Sequence, residues 1–182
     1  MLEWLQWALL AGTLAFAASA FVGSLRYGIG PHPSGPRATQ ALVEALPAGL
    51  TGEVHDLGCG LGPGLVAPAR SGRFPEARLV GHEASLAPFV VAWVLAKVLG
   101  RGQVEVRWDD LFKADLSRAS ALLCFLYPGA MARLAQELEG RAPEGAVVVS
   151  LSFALPGWEP SRTERIKDLW RSPVYVYRVG SK

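Results

Sequence analysis

The stretch Glu53-Val54-His55-Asp56-Leu57-Gly58-Cys59-Gly60-Leu61-Gly62-Pro63-Gly64 limits the folds open to this chain more than any other. A β-like run ends in an acid, three glycines follow at alternate positions, and a segment able to form a helix starts behind them. Glycine is needed where a chain turns sharply or where a ligand lies against bare backbone. A strand, a glycine bend and a helix in that order are the opening unit of a parallel α/β sheet that binds a ligand at its carboxyl edge. A nicotinamide or flavin fingerprint would read Gly-x-Gly-x-x-Gly. From Gly58 that pattern needs a glycine where the chain has Pro63, and from Gly60 it needs one where the chain has Leu65. The dinucleotide reading fails on both registers.

The rest of the chain continues the alternation. Strands are expected at 53–57, 78–82, 104–107, 121–125, 146–151 and 174–179. Helices are expected at 38–46, 64–70, 87–99, 131–139 and 163–170. Strands alternating with helices imply a mostly parallel sheet covered on both faces, with its site at the carboxyl ends of the strands. Two further acids fall at such ends. Arg78-Leu79-Val80-Gly81-His82-Glu83 closes on Glu83, about twenty residues past the glycine bend, where a carboxylate can accept ribose hydroxyls. Glu83 could equally cap the next helix. Trp108-Asp109-Asp110-Leu111 follows the third strand, and its two acids also suit a solvated turn.

Asp-Leu-Gly-Cys-Gly-x-Gly, followed by these acids, resembles the class I S-adenosylmethionine-dependent methyltransferases. The resemblance implies a Rossmann-like sheet, mostly parallel with the last strand antiparallel. It also implies S-adenosylmethionine as cofactor, a zwitterion with a cationic sulfur that welcomes carboxylates. Asp56 would help hold the methionine part, and Gly58, Cys59, Gly60 and Gly62 would let the backbone approach it. Glu83 would take the ribose. Asp110, with Asp109 second, would receive the adenine amino group beside Leu111.

Later segments narrow the match. Asp110-Leu111-Phe112-Lys113-Ala114-Asp115, Phe125-Leu126-Tyr127-Pro128, Val148-Val149-Ser150-Leu151-Ser152-Phe153, Gly157-Trp158-Glu159-Pro160 and Val174-Tyr175-Val176-Tyr177 occur in this order. Together they resemble the small protein-lysine methyltransferases typified by the mitochondrial ATP synthase c-subunit enzyme and its archaeal relatives. That family implies a protein lysine as acceptor. Tyr127 after the fourth strand and Asp115 are the candidate catalytic residues. The chain departs from the family pattern at Leu61 and Pro63 in the bend, and at Leu151 and Ser152, where the family has His and an acid. These departures keep two rivals in view: a lipid or small hydrophobic acceptor, and a degenerate, non-catalytic interaction module.

Composition bears mainly on the N-terminus. Of the 182 residues 51% are hydrophobic, and between Leu5 and Leu25 there is no charge. A helix of that length reaches roughly 30 Å, the depth of a bilayer core. Residues 1–27 are therefore expected to form a single transmembrane anchor, with a cleaved signal peptide as the rival. Residues 28–37 read as a linker and 38–182 as the methyltransferase domain. Arg26 and Arg37 would place that domain in the cytoplasm, at a membrane that would also be its partner. The formal net charge of +2 gives no basic stripe for nucleic acid. Cys59 and Cys124 read as buried thiols. The scattered His32, His55 and His82 read as core or loop residues, and no metal site is expected.

Overall fold

The computed structural model describes residues 2–27, 35–168 and 170–180. Within the first helix it describes the side chains of 3–14, 16 and 18. The expected linker at 28–37 lies mostly outside the described residues.

Among the described residues, five α-helices and seven strands follow one another: α1 Leu2–Tyr27, α2 Pro36–Ala45, β1 Gly52–Leu57, α3 Pro63–Ser71, β2 Ala77–His82, α4 Leu86–Leu99, β3 Val104–Arg107, β4 Ala119–Cys124, α5 Pro128–Glu137, β5 Val147–Leu151, β6 Arg162–Arg165 and β7 Pro173–Arg178. Proline opens α2, α3 and α5, where its missing N–H breaks no intrahelical bond and its fixed φ suits the first turn.

The strands make one sheet in the order β3-β2-β1-β4-β5-β7-β6. The first five are parallel, and β7 runs antiparallel to both β5 and β6. The central strands are apolar on both faces, as a sheet covered on both sides requires. One core, built on Leu42, Leu65, Leu79, Ala92 and Val149, fills the face under α2, α3 and α4. The other, with Leu122, Met131, Leu134 and Tyr177, fills the face under α5. The chain moves from β1 outward to β2 and β3, then returns to place β4 on the other flank of β1. That reversal opens a crevice at the carboxyl ends of β1 and β4.

Two sequence expectations need correction. Among the described residues of 163–170 there is no helix. Their first part is edge strand β6, fully exposed, pairing Arg162 with Val176 and Arg165 with Pro173. Thr-Glu-Arg-Ile carries no apolar stripe that a helix could bury, whereas β7 offers an unpaired backbone edge. The N-terminal helix does form, but the transmembrane span does not stand. Among the described residues, no helix is long and apolar enough to cross a membrane. Glu3, Gln6, Gly12 and Thr13 interrupt the apolar side chains of its first half, and the helix lies alongside α4.

Candidate cofactor and acceptor site

The glycine bend leaves β1 at the crevice. Gly58, Gly60 and Gly62 have φ of 78°, 54° and 86°, a region that side chains strongly disfavour. Their carbonyls and amides knit the turn: Gly58 N and Cys59 N both donate to the His82 carbonyl at 3.0 Å, and Gly62 N donates to Cys59 O at 2.8 Å. A Cβ built on Gly60 would meet no atom within 4 Å, so the top of the bend is open space.

Asp56 and Glu83 converge on this bend. The Asp56 carboxyl lies directly against Gly64 in the first turn of α3, where any Cβ would collide with its Oδ2. Burial, reinforced by the negative charge of Glu83, pushes its pKa up to about 7. Glu83 Oε2 accepts from Gly60 N at 3.0 Å, and its Oε1 accepts from Ser85 N at 2.7 Å. Glu83 thus ties the glycine bend to Ser85, the residue that precedes α4, without capping that helix.

The adenine-side acids divide. His82 Nδ1 lies 2.9 Å from Asp109 Oδ1 and 3.1 Å from Oδ2, so Asp109 is engaged by an imidazole. Asp110 Oδ1 accepts from Phe112 N at 2.9 Å, an Asx-type turn that holds its carboxyl in place. Trp108 donates its indole N–H to Ala84 O at 2.9 Å and leaves 60% of its surface exposed beside these acids.

Three of the candidate residues point elsewhere. The Cys59 side chain is buried against Gly81, whose Cβ would lie 2.8 Å from the sulfur, and burial raises the thiol pKa. Leu111 belongs to the core under α5. Asp115 sits in an exposed turn just ahead of β4, where its Oδ1 accepts from Ser117 N at 2.9 Å. Tyr127 follows the opposite end of β4. A six-residue strand separates the two by about 17–20 Å, so the structure does not bring Asp115 to the crevice.

Tyr127 lies instead past the carboxyl end of β4, on the crevice side of the sheet. It is the N-cap of α5, 38% exposed, and its ring lies over Gly129, where a Cβ would be 2.6 Å from Cε2. Phe153 is a second aromatic past the carboxyl end of the sheet: Cys124 of β4 pairs with Ser150 of β5, and Tyr127 and Phe153 each lie three residues beyond those partners in sequence. Ser152, next to Phe153, has a φ of 67° that a serine adopts only at a cost in strain. Trp158, by contrast, packs edge-on to Tyr177 and donates to Ala135 O at 3.0 Å, which makes it core.

The residues present fit S-adenosylmethionine. A glycine cradle with open space above it suits a ligand held against backbone. Two carboxylates beside it suit cationic groups and hydroxyls, and would repel a pyrophosphate. Among the described residues, no cluster of His, Cys, Asp and Glu could hold a metal.

The fold and this cradle define a class I S-adenosylmethionine-dependent methyltransferase. Comparison with known proteins narrows the class. The family model of the ANTKMT methyltransferase domain matches residues 56–162, more than half of the chain, and the chain belongs to that family. A protein-lysine N-methyltransferase of Saccharolobus islandicus (strain REY15A) is 26% identical over 82% of this chain and 96% of its own length. The adenine nucleotide translocase lysine N-methyltransferase of Mus musculus is 32% identical, but over 65% of this chain and 51% of its own length. Among solved structures, an RNA methyltransferase from Salinibacter ruber in complex with S-adenosyl-L-homocysteine superposes with a TM-score of 0.72. It is 29% identical over 83% of this chain and 95% of that one. The chain is thus an enzyme that uses S-adenosylmethionine.

Gly64 and the His55–His82 pair are site features that sequence reading missed. The residue pattern Gly62-Pro63-Gly64 contained the first signal, because a second glycine past the bend implies a close neighbour.

Proposed function

We propose that this enzyme transfers methyl groups to lysine side chains of a protein. The similarity that supports this most is the archaeal protein-lysine N-methyltransferase, because the match spans nearly all of that protein. When bound, the cofactor supplies a methyl group already activated on a cationic sulfur. Asp56 and Glu83 bind and orient it, and the glycine bend lets it approach the backbone. The acceptor side is formed by Tyr127 and Phe153 at the ends of neighbouring strands. Aromatic faces suit a lysine: the rings line its aliphatic stem and attract its ammonium. Partial desolvation between them favours the neutral amine, which must lose its proton to solvent before it can act as nucleophile. Positioning rather than strong acid–base chemistry then carries the rate, which fits a site without a nucleophile–base pair.

Incubating a cell extract with the enzyme and cofactor labelled on its methyl group tests the acceptor. Label released as methylated lysine after protein hydrolysis supports the reading. Label recovered instead in RNA or in the organic extract would replace it with a nucleic-acid or lipid acceptor.

A further inference from the structure

Beside the cofactor site runs a chain of four titratable side chains, three of them buried. Glu53 Oε2 lies 3.2 Å from His55 Nε2, His55 Nδ1 lies 2.9 Å from His82 Nε2, and His82 Nδ1 lies 2.9 Å from Asp109 Oδ1. Both imidazoles are completely buried, and their rings lie nearly in one plane, 6° apart, joined edge to edge. Arg118 approaches Glu53 at 3.6 Å from the far end. The chain crosses from the amino end of β1 to the turn after β3.

Proton counting makes it a single unit. Two neutral imidazoles carry two N–H protons, and ionised carboxylates carry none. Each contact needs a hydrogen between its two heavy atoms, so the tautomers of His55 and His82 are set together. Burial, with the neighbouring His82, lowers the His55 pKa to about 4, so His55 enters the chain as a neutral imidazole. Removing any member leaves a buried group without its partner, which is costly.

His82 is the junction. Its carbonyl receives the Gly58 and Cys59 amides, its side chain holds Asp109, and the next residue is Glu83. One residue thus links the glycine bend, the ribose-side acid and the adenine-side turn. Because His82 engages both Asp109 oxygens, Asp110 is left as the acid for the adenine amino group.

We propose that Glu53, His55 and His82 form a buried positioning relay that fixes Asp109 and, through it, sets Asp110 to recognise the adenine end of the cofactor. The proposal rests on the cofactor assignment and not on the identity of the acceptor. Calorimetry tests it by comparing S-adenosylhomocysteine with its deaminated analogue, whose purine carries a carbonyl in place of the amino group. The wild type prefers the amino form by about tenfold, the worth of one well-made hydrogen bond to a charged group. His82→Phe and Glu53→Leu cut that preference to less than about threefold, the amino ligand losing more affinity than the analogue. Glu53→Gln, whose amide can either donate to the His55 ring or accept from it, keeps the wild-type preference. Asp109→Ala, at a half-exposed position, gives the same loss should a core variant fail to fold. A preference retained in His82→Phe or Asp109→Ala would overturn the relay, as would an equal loss for both ligands. A wild type that binds the two ligands equally would remove the adenine assignment, and one that binds neither would remove the cofactor assignment.

Discussion

Asp56 is a carboxyl group held where its charge is unwelcome until a cation arrives. Its pKa of about 7 stands above the ordinary 3.8 because burial and Glu83 both oppose ionisation. The stability this group contributes to the empty protein is therefore complete below pH 3.8 and is lost as the pH rises through 7. At pH 8, Asp56→Asn should raise the melting temperature of the ligand-free protein by on the order of 5 °C, with little change at pH 4. The same variant should bind S-adenosylmethionine at least about tenfold more weakly, because it has lost the charge that meets the cationic ligand. Wild-type affinity should rise from pH 5 to pH 8, and calorimetry at three pH values checks it. Tyr127 makes a separate case on the acceptor side. Tyr127→Ala should raise KM for the protein acceptor several-fold and leave the cofactor affinity unchanged, whereas Tyr127→Phe should keep most activity if the ring rather than the hydroxyl matters.

Among the elements, the bend between β1 and α3 was the most legible in sequence. Its glycines are demanded by backbone geometry, and a residue type that tolerates positive φ announces itself at each position. Gly62→Ala should destabilise the fold by about 1 kcal/mol or more, since its φ of 86° disfavours a side chain. Its Cβ would also press on Ala92 at 3.3 Å. Gly64→Ala should do something different: its methyl would displace the Asp56 carboxyl, so cofactor affinity should fall by more than stability does. Denaturant unfolding and ligand titration on the two variants separate these outcomes. β6 was not legible as a strand, because an exposed edge strand carries no alternating apolar pattern and is specified by its neighbour β7. The His55–His82–Asp109 chain was equally hidden. Its members lie 27 residues apart in each step, and only the register of β1, β2 and β3 brings them together. Asp115 shows the reverse: an acid close in sequence to the site turn, which the strand direction places at the other end of the sheet.

At the scale of the whole molecule, the alternation of strand and helix predicted the parallel part of the sheet, because each element's period follows from local sequence, whereas the antiparallel return was implied only by the family resemblance. The N-terminal helix also formed where its apolar run begins and ends. What such a run could not show was its surroundings: the helix lies along α4 and does not qualify as a membrane span. The pH response of stability is likewise a property of the whole. His55, neutral in the fold and lowered from 6.5 to about 4, favours folding above pH 6.5 and loses that contribution as the pH falls towards 4. Asp56 acts with the opposite slope over nearly the same range. The ligand-free protein should therefore show a shallow dependence of melting temperature between pH 4 and 7, and Asp56→Asn should uncover a steeper rise with pH.

The most direct measurement is a calorimetric titration of S-adenosylhomocysteine into the full chain and into Glu83→Ala. One ligand should bind per chain, and the variant, stripped of the carboxylate that meets Gly60, should lose about tenfold or more in affinity. At one hundred times its Kd the ligand should also stabilise the wild type by about 2.7 kcal/mol. Absence of binding to the wild type, or equal binding to the variant, would contradict a cofactor cradle built from this bend and its carboxylates.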